Sequence, residues 1–128
     1  MLDTIERRPA IIVVDDDPVL ATVLQRLIRK TAASYEVVSV ADGAAALAQF
    51  EQWQVPLVIT DYNLLSSLTG LKLTQAIKER SPNTRVVLIS AYATPDLERQ
   101  AREHQVDYYL PKPFLLQDLE QIVLAVLG

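Results

Sequence analysis

The sequence contains no cysteine and a single histidine, His104. The first absence excludes disulfide frameworks, thiol nucleophiles and zinc sites built on thiolates. The second excludes multi-histidine metal sites and histidine relays. No apolar run approaches the ~20 residues that a membrane-spanning helix needs, and the first ten residues, MLDTIERRPA, lack the apolar core of a secretory signal. A basic stripe is missing as well: 12 Lys and Arg stand against 16 Asp and Glu, for a net charge of −4, which argues against direct nucleic-acid binding. What is present is an apolar half of the composition in 128 residues. That is enough for one domain able to bury roughly two thirds of its unfolded surface. A soluble, cytoplasmic protein is expected.

Short continuous apolar runs recur at Ile11–Val14, Val37–Val40, Leu57–Thr60 and Val86–Ile89, with a weaker one at Tyr108–Leu110. Runs without polar alternation read as strands buried on both faces, and the gaps suit the crossover helices that parallel neighbours require. Leu20, Val23, Leu24, Leu27 and Ile28 share one helical face, and Leu116, Leu119, Ile122, Val123, Val126 and Leu127 repeat the pattern. Alanine-rich 44–53, then 71–80 and the polar stretch 95–105, supply the other three helices. Five strands alternating with five helices give an α/β, doubly wound parallel sheet. Residues 1–9 read as a tail and 10–128 as the domain, with no internal repeat or linker.

In an open parallel sheet, ligands bind beyond the carboxyl ends of the strands. Those ends carry Asp15, Asp16 and Asp17 after the first strand, Asp61 after the third, Ser90 after the fourth and Lys112 after the fifth. Asp17 precedes Pro18 and reads as a helix cap. Asp15 and Asp16 cannot both cap that helix, and two like charges at ~4 Å repel by about 4 kcal/mol at an effective dielectric of 20. A divalent cation removes that cost, and all-oxygen ligands select magnesium or calcium over zinc. Lys112 is held between Pro111 and Pro113, which restrict the backbone on both sides. A carboxylate beside a metal and a lysine suits phosphoryl chemistry. Its oxygen can attack phosphorus and hold it as an acyl phosphate, while Lys112 and the Ser90 hydroxyl stabilise phosphoryl oxygens.

Taken in order, IIVVDDDP at 11–18, LVITDY at 57–62, VVLISA at 86–91 and DYYLPKPF at 107–114 resemble the receiver domain of bacterial two-component response regulators, chemotaxis-regulator-like, across roughly residues 10–127. The resemblance implies a flavodoxin-like fold with strand order 2-1-3-4-5. It implies that Asp61 accepts a phosphoryl group from a histidine kinase or histidine phosphotransfer protein, in a two-component system or phosphorelay. Mg2+ or Mn2+ would be held by Asp15, Asp16, Asp61 and the Asn63 backbone carbonyl. Lys112 and Ser90 would bind phosphoryl oxygens, with Ser90 and Tyr109 as the switch pair and Lys112–Pro113 as a cis peptide. An output domain or protein partner would dock on the face formed by the fourth helix, fifth strand and fifth helix. A homodimer stays open, as does the choice between a stand-alone receiver and a piece of a longer protein. Such a domain phosphorylates and dephosphorylates only itself and turns over no separate substrate.

Two stretches depart from the family pattern. Asn63–Gly70 lacks the usual Pro and the Asp of the usual Asp-Gly and runs one residue longer, and Glu103–Asp107 lacks the usual Gly before the last strand. The altered loop is the best support for an alternative, a receiver-like interaction module that is not phosphorylated, while the phosphorylated receiver stays the leading reading. Other readings are excluded by particular residues. An aspartyl-phosphate phosphatase wants a second acid two residues after its nucleophile, where Asn63 stands. Flavin binding wants a Gly-, Ser- or Thr-rich first loop, and the acidic run occupies it. A Ser-His-Asp hydrolase has only His104, on a polar helix, to draw on. Tyr92, two residues after Ser90, is expected to shield an acyl phosphate from water.

Overall fold

A computed structural model of the chain describes residues 7–64, 68–92 and 94–128. The elements follow one another as β1 (Pro9–Val14), α1 (Pro18–Thr31), β2 (Glu36–Val40), α2 (Gly43–Phe50), β3 (Gln54–Asp61), α3 (Gly70–Arg80), β4 (Arg85–Ser90), α4 (Pro95–Glu103), β5 (Tyr108–Pro111) and α5 (Leu116–Leu127). All strand pairings are parallel, in the order β2-β1-β3-β4-β5. The five strands and five helices expected from the apolar runs are present, and so is the implied strand order.

The alternation of side chains along each strand splits the core into layers. Ile11, Val13, Leu57, Ile59, Val87 and Ile89 face Leu24 and Ile28 of α1 and Leu119 and Val123 of α5. Their neighbours Ile12, Val14, Val58 and Val86 face Ala46 of α2 and Leu73 and Ile77 of α3. Leu88 packs with Leu71 and with Leu97 and Ala101 of α4. Ile11 to Val14 are wholly buried, as runs without polar alternation require, whereas the edge strands β2 and β5 are partly exposed. Continuous apolar sequence therefore marks the three central strands faithfully and overstates the burial of the two outer ones.

Side chains cap the entry of four helices. Asp17 accepts from Val19 N–H at 3.0 Å, Asp42 from Ala45 N–H at 2.8 Å, Thr69 from Lys72 N–H at 3.2 Å and Thr94 from Leu97 N–H at 3.1 Å. Each cap satisfies an otherwise orphaned donor. Helix α4 is a solvated lattice of charge, with Arg99 paired to Asp96 and Glu103 and Arg102 to Glu98, so only Leu97 and Ala101 anchor it. His104 caps its C-terminus, Nδ1 lying 2.9 Å from the Gln100 carbonyl.

Beyond α4, Lys78 donates to Asp107 Oδ2 at 2.7 Å and to the Thr84 carbonyl at 2.8 Å, while Val86 N–H donates to the same Asp107 oxygen at 2.7 Å. This nearly buried clasp fixes the turn into β5. The glycine missing from that turn has a structural counterpart: Gln105 adopts φ +66°. A left-handed residue with a Cβ costs roughly 1–2 kcal/mol, and a β-branched side chain there costs more. Gln105→Gly is therefore expected to raise the chemical-denaturation stability by about 0.5–1 kcal/mol, part of the gain being lost to unfolded-chain entropy. Gln105→Val is expected to lower it. Equal stability of all three proteins contradicts the assignment of strain.

Candidate functional site at the sheet rim

Asp15 lies directly after β1, Asp61 and Ser90 close β3 and β4, and Lys112 lies directly after β5. Parallel register therefore delivers all four to one rim. The main chain ties them there: Asp15 N–H donates to the Val40 carbonyl at 3.0 Å, Tyr62 N–H to Ile89 at 2.8 Å and Lys112 N–H to Ser90 at 2.7 Å. Gly70 closes the rim from the α3 side. A Cβ on it would come within 2.5 Å of the Asp61 carbonyl oxygen and 3.0 Å of Tyr62 Cα. The start of α3 thus presses on the backbone of β3 where only hydrogen fits. As one of three glycines in the chain and the first residue of a helical pattern, Gly70 left a signal in the sequence that motif reading did not use.

Carboxylate oxygens of Asp15, Asp16 and Asp61 all lie within 4.8 Å of one another. The first strand's third acid is elsewhere, since Asp17 caps α1. Asp15 Oδ1 accepts from Asp17 N–H at 2.8 Å, but its Oδ2 is buried without a partner among the described residues. Burial pushes the Asp15 carboxyl up to about 6, against the pull of the Asp17 N–H, and the Asp61 charge pushes the same way. Burial also raises Asp61, opposed by Lys112, whose Nζ lies 3.3 Å from Asp61 Oδ1.

One ammonium faces three carboxylates, two of them buried, and one carboxylate oxygen lacks any donor. These residues fit a hard divalent cation, which magnesium sites typically meet with one or two carboxylates, water and phosphate. Asn63, two residues beyond Asp61, has an exposed side chain. Residues 65–67 of the altered loop lie outside the described residues.

The Ser90 hydroxyl is buried and engaged with a neighbouring peptide. It accepts from Tyr92 N–H at 3.0 Å and donates to the Tyr92 carbonyl at 3.3 Å. The Tyr109 hydroxyl donates to that same carbonyl at 2.8 Å. The two expected switch residues therefore meet on the Tyr92 main chain, which sequence reading did not anticipate. The Tyr92 side chain is itself 59% exposed. The Lys112–Pro113 peptide is cis, as the resemblance implied.

The family model described as the response regulator receiver domain matches residues 11–124. The chain belongs to that family. Among curated relatives, the receiver is 31% identical over 126 residues to "Transcriptional regulatory protein PrrA" of Mycobacterium tuberculosis, covering 98% of this chain and 53% of PrrA. It thus spans about half of that relative's length. It is 32% identical to "Two-component response regulator ORR3" of Oryza sativa subsp. indica, covering 91% of this chain and 89% of ORR3. Among solved structures, the signal receiver domain of an HD domain-containing protein from Pseudomonas fluorescens Pf-5 superposes with a TM-score of 0.84 at 29% identity, covering 94% of this chain and 95% of that one. No helix among the described residues is long and apolar enough to cross a membrane.

The raised Asp15 carboxyl gives the receiver a pH signature. A carboxyl whose folded pKa exceeds its unfolded value favours folding most fully below about 3.8 and loses that contribution as pH rises through about 6. In metal-free buffer, Asp15→Asn is expected to be more stable than the parent at pH 8, by up to about 3 kcal/mol, with the margin shrinking towards pH 4. Thermal unfolding at a series of pH values measures it. A margin independent of pH contradicts the buried-charge account.

Proposed function

We propose that this receiver accepts a phosphoryl group on Asp61 from a histidine kinase or histidine phosphotransfer protein, with Mg2+ (or Mn2+) at Asp15, Asp16 and Asp61. The observation that carries this reading is the unpartnered buried Asp15 Oδ2 beside two further carboxylates. A bound cation would supply charge neutralisation for one anion approaching another. Asp16, partly exposed, and the Asn63 carbonyl complete the proposed ligand set.

A carboxylate oxygen of Asp61 attacks phosphorus, the bond from phosphorus to the donor's histidine nitrogen breaks, and an acyl phosphate forms on Asp61. Lys112, already 3.3 Å from that carboxylate, exchanges a carboxylate contact for phosphoryl oxygens. Ser90 gives up its bonds to the Tyr92 peptide to reach the new anion. The Tyr92 carbonyl then loses one of its two hydroxyl donors, which changes the setting of Tyr109 on the face formed by α4, β5 and α5. The phosphoryl group supplies the differential contacts that such a two-state switch needs. An output domain or protein partner reads that face, and the receiver turns over no separate substrate.

Val19 on α1 and Leu115 and Leu116 at the start of α5 are 72%, 62% and 45% exposed. They follow Asp17 and Lys112 closely in sequence, offering an arriving phosphodonor protein apolar contact next to the acidic rim. These exchanges suit the cytoplasm.

Incubation with Mg2+ and a small acyl-phosphate donor is expected to add the mass of one phosphoryl group, and Asp61→Asn to abolish the addition. Modification that survives Asp61→Asn, or none on the parent protein, overturns the acceptor assignment; the latter outcome favours an interaction module without phosphate cycling. Tyr92→Ala is expected to shorten the acyl-phosphate lifetime several-fold, because the exposed ring stands next to the peptide that holds Ser90. An unchanged lifetime removes the shielding role.

A further inference from the structure

The foot of the sheet, at the end of β3 remote from Asp61, holds a cleft of about 800 Å3. Its origin is legible in the chain. Proline has no N–H for a ladder, so inside a central strand it is confined to bulges, and Pro56 lies inside β3. The strands β1 and β3 pair as Pro9 with Gln54 and next as Ile11 with Leu57, a step of two residues against a step of three. The extra residue falls at Val55–Pro56, where a bulge bends the strand and interrupts its ladder. Both residues line the cleft. Gln54 and Asp61 are seven residue steps apart, roughly 23 Å at about 3.3 Å per residue, so the cleft is separate from the acidic rim.

The walls come from both helical layers. Tyr35 packs against the core beneath α1 and α5, while Phe50 and Trp53 pack against the core beneath α2 and α3. The Trp53 indole N–H donates to Gln49 Oε1 at 3.1 Å, which ties the ring to the end of α2. Arg7 and Arg80 line the same cleft. Arg80 is paired to Glu51 at 3.5 Å with both side chains solvated, a contact of the kind a competing anion readily replaces. Arg7 has no ion-pair partner among the described residues. Two guanidinium groups against one carboxylate leave the lining positive on a chain of net charge −4. Aromatic walls with a few placed charges are the makings of a small-molecule site, and guanidinium groups favour planar anions.

We propose that the cleft at the foot of the sheet binds a planar aromatic anion, its ring among Tyr35, Phe50 and Trp53 and its charge on Arg7 and Arg80. Trp53 is the chain's single tryptophan, so its indole N–H resonance reports on the cleft alone. In an amide-correlation titration of the full chain, 2-naphthoate is expected to shift that resonance and saturate below a millimolar. The cation 2-naphthylmethylammonium, with the same ring, is expected to bind at least tenfold more weakly. Arg7→Gln combined with Arg80→Gln should weaken naphthoate at least tenfold, and Glu51→Gln, which releases Arg80, should tighten it several-fold. All three are solvated positions, and the amide spectrum checks their fold. A shift that does not saturate, equal binding of anion and cation, or an unmoved Trp53 resonance with shifts at Leu115 and Leu116 instead overturns the proposal.

Discussion

Two carboxylates buried at the edge of an apolar sheet, with one ammonium to balance them, are the constraint on which the rim depends. Asp15 and Asp61 leave water only because β1 and β3 are central strands whose ends the neighbouring strands and helices enclose. Burial is the largest cause raising both carboxyls, and Lys112 opposes it at Asp61 but leaves Asp15 Oδ2 with no donor among the described residues. An apolar sheet end would tolerate alanine at these positions at no electrostatic cost. Retaining the charges makes sense where something positive, then something more negative, arrives there.

The rest of the fold holds that rim in place. Gly70 lets α3 begin against the β3 backbone, Asp17 draws one of three consecutive acids away into a cap, and the cis Lys112–Pro113 turn follows directly on β5. On the other side of Ser90, a single peptide at Tyr92 receives both Ser90 and Tyr109. Any event that draws the Ser90 hydroxyl towards Asp61 therefore alters the environment of Tyr109 without a long chain of intermediaries. The clasp of Lys78 and Asp107 fixes the turn into β5, and α4 is fastened by two buried apolar residues, Leu97 and Ala101.

Central features of this architecture were legible in the sequence for plain physical reasons. Buried parallel strands need unbroken apolar runs, so β1, β3 and β4 announced themselves, and an acid before a proline announced the cap at Asp17. The acids, the hydroxyl and the lysine could be gathered because strand ends on one rim follow from parallel topology alone. Edge exposure was not legible, because Val37–Val40 reads as apolar whether or not a further strand lies beside it. The start of β3 was hidden by Pro56, which looks like a boundary until a bulge accommodates it. Gln105 gave no sign of its left-handed backbone, since glutamine occupies that region only when the surrounding turn imposes it. The shared Tyr92 carbonyl was equally hidden, because main-chain acceptors leave no trace in residue identity.

The proposed phosphoryl transfer requires the rim carboxylates to form one cation site. Paramagnetic broadening by Mn2+ tests it most directly, since the ion erases amide signals nearest to where it binds. At substoichiometric Mn2+, the signals of Asp15, Asp16, Asp61 and Tyr62 should vanish first, and Asp15→Asn should restore them. Broadening that begins instead among the acids of α4, at Asp96, Glu98 and Glu103, with the rim untouched, would contradict the account.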